Sequence, residues 1–250
     1  MTLDDAKYFC EKARFLERER FLHNCILPTD SYEECEDKLL TVTCCFPHES
    51  EVPWEYFKTI YNEIPLRFRM PLMLSVLYQY YDIDYVEMLQ YMSNYINVEE
   101  TAELKAQRIA GNKAFLKNKV RKDGTVMVYR GMAENSLIEE YAVSYTLDKK
   151  TADFFVGYHK GWHGSRFGVT IKRFINIEDI MYCSNDRGEK EVYVIPLYVA
   201  DMSYRGLYYL TPREDLWGLK IGDLRQYLSN EEYNAVLAEY EKSRHKEQQE

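Results

Sequence analysis

The stretch Gly124-Thr125-Val126-Met127-Val128-Tyr129-Arg130-Gly131 decides how this chain is read. Before it, apolar residues recur at helical spacing; after it, short runs rich in β-branched and aromatic residues take over. Lys122-Asp123-Gly124 is the turn at which the character changes. The β-type runs are Val126–Tyr129, Ala142–Tyr145, Gly168–Phe174, Ile180–Tyr182, Val192–Ile195 and Tyr198–Ala200. One helical interruption is expected over Asp148–His159, with Asp148 as its N-cap. Strands and helices segregated in this way imply an α+β chain.

Upstream, the spacing predicts a helix from Leu3 to about Leu22. A second follows from Ser31, where Glu34 three residues on completes a capping box, to about Cys45. Trp54–Ile64, Met70–Tyr81, Tyr85–Ile96 and Glu99–Lys119 read as further helices, the last with Leu104, Ile109, Ala110 and Phe115 inward. After Thr211-Pro212 the chain returns to helix, ending with one over about Glu232–His245. The expected organisation is an α-helical domain over 1–120, a strand-bearing core over 121–212 and a C-terminal helical segment over 213–250.

A net charge of −9 argues against a general electrostatic grip on nucleic acid. Residues 121–212 are balanced, however, with 12 Lys+Arg against 12 Asp+Glu, so a local basic cleft stays open there. The 6 cysteines form no C-x-x-C pair, and Cys44-Cys45 are adjacent, which suits neither zinc ligation nor a disulfide framework. No metal is expected. Reduced thiols, an acidic start without a signal-peptide pattern and the lack of a membrane-length apolar run lead us to expect a cytoplasmic protein.

Glu189 and Glu191 would share one strand face if the segment is extended, and two close carboxylates can divide the work of holding a sugar hydroxyl and taking a proton. Glu-x-Glu recurs elsewhere in the chain, at Glu17/Glu19 for example, where solvated charge is sufficient explanation. Arg130 at a strand end, with Gly131 admitting a close backbone, suits a pyrophosphate or ribose contact; a surface arginine at a turn fits the same residues. Ser144 and Thr146 alternate along a second run, as functional or merely solvent-side hydroxyls. No Walker-A or G-x-G-x-x-G glycines occur.

Taken in order, Tyr129-Arg130-Gly131, Ser144-Tyr145-Thr146 and Glu189-Lys190-Glu191-Val192 resemble the Arg/Ser/Glu branch of the mono-ADP-ribosyltransferase family, over roughly residues 124–200. The resemblance implies a split, bent β-sandwich holding NAD as co-substrate in its cleft. It implies that Arg130 and Gly131 meet the phosphate and nicotinamide-ribose side of NAD, and that Ser144 orders the cleft with Thr146 in support. Glu191 would hold the ribose 2′-hydroxyl, and Glu189 would steer or deprotonate the acceptor. Trp162 or Phe167 would stack on nicotinamide and Arg166 would reach a phosphate, from the loop Lys160–Phe167.

The implied activity is NAD-dependent transfer of ADP-ribose, foremost to a protein arginine, in a toxin, effector or phage enzyme. Delivery to a host cytosol and a neutralising or activating protein partner belong to the same implication. Two alternatives stay open: a nucleic-acid base as acceptor, and a non-catalytic protein-interaction module.

Overall fold

The computed structural model describes residues 2–13, 18–47, 50–78, 83–134, 136–162, 164–185, 188–197, 199 and 218–247. It divides into two compact units, one taking the described residues up to Leu104 and the other those from Lys105 onward.

In the first unit, helix α1 spans Leu3–Lys12, closed at its start by a Thr2/Asp5 capping box. It stops at the extended Ala13, and α2 (Arg18–His23) follows as a separate helix, so the single helix expected over Leu3–Leu22 is two. The capping box at Ser31 forms as its sequence implies and starts α3 (Tyr32–Thr43). Next come α4 (Val52–Ile60), α5 (Arg69–Leu72) and α6 (Tyr85–Asn94). Helix α5 widens into a π-turn over Met73–Leu77, and α6 into another over Tyr95–Glu99. Met70, Met73, Met88 and Met92 are all buried, so these methionines fill core. Around Tyr56 the rings of Phe9, Phe21 and Phe46 pack at centroid distances of 5.2, 5.6 and 6.2 Å.

Helix α7 (Ala102–Leu116) crosses the division between the units, which falls earlier than residue 120. Its buried positions are Asn112 and Leu116, while Phe115 and Ala110 are exposed, so the face expected to point inward is rotated. Polar anchoring is added to the apolar burial of Leu116 and the partly buried Ile109. Arg108 Nη1 donates to the Ile180 and Glu178 carbonyls at 2.6 and 2.9 Å, and Asn112 Nδ2 donates to Ile180 at 2.8 Å.

The strands are β1 (Thr125–Ala133), β2 (Ser144–Thr146), β3 (Gly168–Asn176), β4 (Ile180–Ser184) and β5 (Glu191–Val194). They form one open antiparallel sheet in the order β3-β1-β2-β5-β4. The described strands thus make a single sheet, and a second one packed on it is not among them. Of the remaining expected run, Tyr198 and Ala200 lie outside the described residues, and Val199 is helical.

The two faces of the sheet are covered differently. Val126, Val128, Tyr145, Val192 and Val194 share a core with Leu116, Ile177 and Ile180. Further along the same face, Met132, Val169 and Ile171 pack with Phe167, Leu219, Leu224 and Tyr233. Leu224 belongs to a 3-10 turn at Ile221–Gln226 and Tyr233 to helix α9 (Asn230–Glu247). The described part of 213–250 is therefore built into the second unit's core. The opposite face meets α8 (Lys149–Trp162), which begins directly after β2.

Candidate functional site

Strands β1, β2 and β5 are neighbours, so Arg130, Ser144, Thr146 and Glu191 stand on three successive strands. Register then decides which of them share a face. Tyr129 pairs with Thr146, Thr146 with Glu191, and Glu191 with Ser184. Partners across a ladder point the same way. Thr146 and Glu191 are thus direct cross-strand neighbours, and Ser144 is the diagonal neighbour of Glu191, about 7–8 Å away. All three lie on the face that α8 meets. Glu191 is 7% exposed, a buried carboxylate inside the sheet.

Arg130 is one residue out of phase with Tyr129 and turns to the opposite face. There its guanidinium lies 5.8 Å from the Tyr145 ring. It also reaches across to donate from Nη1 to the Ser144 carbonyl at 2.9 Å, while its Nε is buried without a hydrogen-bond partner. Nor does Arg130 sit at a strand end, because β1 continues through it to Ala133. The structure brings Arg130 to the backbone of Ser144 but not to the face of its hydroxyl.

The glutamates also depart from the expected geometry. Strand β5 begins at Glu191, and Lys190 takes a left-handed φ of 50°. A non-glycine residue there carries backbone strain, and the strain interrupts the two-residue alternation that would have set Glu189 beside Glu191. Glu189 instead lies in the bend before the strand, where its carbonyl accepts from Thr146 Oγ1 at 2.6 Å. Thr146 Oγ1 in turn accepts from the Asp148 amide at 3.1 Å, and Leu147 N donates to the Lys190 carbonyl at 3.1 Å. Asp148 caps α8 through Oδ1, which accepts from Lys150 N at 3.0 Å. One hydroxyl therefore ties the glutamate bend to the start of α8.

The remaining expected ligand contacts are placed otherwise. Gly131 is where α8 crosses β1: a Cβ there would stand 2.3 Å from the Ala152 carbonyl oxygen. Its missing side chain serves helix packing. Phe167 is fully buried and meets Tyr240 edge-on at 5.8 Å, so it is core and has no open face for nicotinamide. Arg166 donates from Nε to both Glu134 oxygens, at 3.1 and 3.0 Å, and from Nη2 to Oε1, with its guanidinium over the Tyr240 ring. Its first partner is thus a carboxylate, which Arg166 holds below the usual carboxylate range. Trp162 is the last residue of α8, so the loop begins later than Lys160; the Trp162 side chain lies outside the described residues.

On the Arg130 face the structure assembles a cluster that sequence reasoning missed. Glu139, 3% exposed, is ion-paired with Arg173, and Arg130, Tyr145 and Tyr227 stand around it. Burial pushes the Glu139 carboxyl up, against the opposing pull of Arg173; burial likewise pushes the Tyr227 hydroxyl up to about 12. The signal was available in β3: Arg173 occupies the same strand phase as Val169, Ile171 and Ile175, so a charge stands at an inward position.

Among the described residues no group of His, Cys, Asp and Glu is arranged to hold a metal, and no helix is long and apolar enough to cross a membrane. Compared with protein-family models, with curated proteins and with solved structures, the chain gives no match.

Proposed function

We propose that the second unit is an ADP-ribosyltransferase-type catalytic core that acts on NAD and transfers ADP-ribose, foremost to a protein arginine. The observation that carries the reading is the adjacency of β1, β2 and β5. It sets Ser144, Thr146 and the buried Glu191 on one face, with the Glu189 bend fastened to Thr146. The resemblance along the sequence supplies the chemistry.

In this reading Glu191 accepts a hydrogen bond from the ribose 2′-hydroxyl and its charge stabilises the oxocarbenium-like ribose. The C1′–N bond breaks and nicotinamide leaves with the electron pair. The acceptor nitrogen then bonds to C1′, and its proton passes to the Glu189 carboxylate. Arg130 is a positioning residue in this scheme, fixing the Ser144 strand through its carbonyl. With water as acceptor the same site hydrolyses NAD slowly.

The test is nicotinamide release from NAD by the purified protein, with Glu191→Gln and Glu189→Gln in parallel. Release should fall about 10²-fold or more in the first variant. In the second, NAD cleavage should persist while labelling of an arginine-bearing acceptor is lost. Labelling of an oligonucleotide in place of arginine would move the acceptor to a nucleobase.

A second reading, a non-catalytic interaction module, is favoured by one set of observations. Arg130 is turned to the Glu139 face, Arg166 is paired with Glu134, and Phe167 is buried. Calorimetry separates the two: no heat of NAD binding to the intact chain would overturn the enzyme reading and leave the module.

A further inference from the structure

Apart from the sheet, the helical unit carries a cavity of about 360 Å³ between the end of α4 and the turn that follows α6. That is within the ~300–1,000 Å³ range of small-molecule sites. Its floor is aromatic: Tyr61 and Tyr91 meet edge to face, with centroids 4.8 Å apart and planes at 73°. Its rim is amide: Asn62, Gln90 and Asn94 are exposed there, and the Asn62 and Gln90 side chains make no hydrogen bond to the described chain.

The charges around the cavity are settled in pairs. Lys58 Nζ bonds Glu87 at 2.8 Å, and Arg69 Nη1 bonds Glu99 at 2.8 Å. Glu99 also accepts from Tyr61 Oη at 3.1 Å and from Asn94 Nδ2 at 2.7 Å. It reaches Asn94, five positions back, because the chain between them is the π-turn Tyr95–Glu99. Such turns are rare and recur at functional sites. Here the wider turn returns a carboxylate to the cavity wall.

From this arrangement we infer that the helical unit binds a neutral sugar ring in the Tyr61/Tyr91 corner. The paired charges leave no surplus cation for a phosphate and no surplus carboxylate for an ammonium ligand. Two tyrosines at 73° form a corner rather than a parallel slot, so a planar base cannot be sandwiched between them. The Tyr61 ring is buried and already carries the Arg69 guanidinium at 4.6 Å, so a puckered ring sets its C–H face on the half-buried Tyr91 and turns its hydroxyls to the rim. Each free amide offers a donor and an acceptor to neighbouring hydroxyls, Lys58 keeps two further donors, and Glu99 keeps one acceptor position. The inference is independent of the chemistry proposed for the sheet.

The test is saturation-transfer NMR on the full chain at millimolar glucose, galactose, N-acetylglucosamine, maltose and lactose. At least one should receive saturation from the tyrosine protons. Binding should weaken about tenfold in the Asn62→Ala/Gln90→Ala double variant, the loss of one or two net hydrogen bonds. Both substitutions are at exposed positions, so the double variant should melt with the parent. No transfer to any of the five sugars would overturn the inference. So would transfer unchanged in the double variant, or displacement of every bound sugar by equimolar adenosine.

Discussion

Replacing Gly131 by alanine drives a methyl group into the backbone of α8. The added Cβ would stand 2.3 Å from the Ala152 carbonyl oxygen, 3.1 Å from Val156 N and 3.2 Å from Phe155 Cβ. The first two are mid-helix backbone atoms, which cannot rotate away, so the helix must move off the sheet by more than half an ångström. Forced overpacking costs roughly 1–3 kcal/mol, and more where the obstruction is rigid. Alanine recovers about 0.4–1 kcal/mol by restricting the unfolded chain. The expected net loss is about 2 kcal/mol, or about 4–8 °C in Tm for a cooperative unit of 150–250 residues. Urea unfolding followed by far-UV circular dichroism measures it against two internal controls. At Gly168 the obstruction at 2.7 Å is Val156 Cγ1, a side-chain atom that can give way, so Gly168→Ala should cost less. At Gly157 nothing lies within 4 Å of the added methyl, and Gly157→Ala should stabilise α8 by up to about 1 kcal/mol. If Gly131→Ala matches the parent in stability yet loses NAD cleavage, the glycine faces a ligand and the packing argument fails.

Two carboxyls should bend the stability–pH curve in opposite directions. Burial raises the folded-state pKa of Glu139, so its contribution is full below the ordinary carboxylate range and drains away as pH rises through the raised value. The Arg166 hydrogen bonds lower that of Glu134, so its contribution is full above the ordinary range and drains as pH falls through the lowered value. Melting from about pH 3 to 7 should therefore lose its high-pH decline in Glu139→Gln and part of its acid decline in Glu134→Gln. Thiol accessibility gives another check: Cys44 is exposed, whereas burial pushes Cys35 up to about 11 and Cys183 up to about 12. Alkylation of the native protein near pH 8, mapped by mass spectrometry, should mark Cys44 first and leave Cys35 and Cys183 until unfolding. Ser31→Ala removes the cap of α3 and should cost about 1 kcal/mol in the same urea assay.

Elements that rest on local chemistry were legible in the sequence. The Ser31/Glu34 box, the Asp148 cap and the turn at Gly124, where φ is +79°, all act within a few residues of chain. What was not legible depends on partners brought from afar. Phe115 and Ala110 fit an inward helical stripe as well as Asn112 does, until the Ile180 carbonyl claims Asn112. Phe167 looked like an exposed loop aromatic because the Tyr240 ring that covers it arrives from α9. Lys190 concealed its left-handed turn because lysine gives no sign of positive φ, so Glu189-Lys190-Glu191 looked extended.

Pleat parity is the deepest of these gaps. Arg130 and Ser144 lie on neighbouring strands, but no spacing along the chain says whether they share a face. A register one residue different would turn all of β2 over relative to β1. The register Tyr129↔Thr146 instead leaves Arg130 level with Tyr145, on the Glu139 side. Reversal would set Ser144 and Thr146 in the apolar core and take Tyr145 out of it, so the composition of that core favours the observed choice. Arg130 then finds its counter-charge in Glu139 and its hydrogen bond at the Ser144 carbonyl. The same register that separates Arg130 from the carboxylates also sets Thr146 beside Glu191. A residue that could bridge the two faces must lie in the sheet plane, and the Ser144 carbonyl, touched by Arg130 from one side and attached to the hydroxyl-bearing residue on the other, meets that condition.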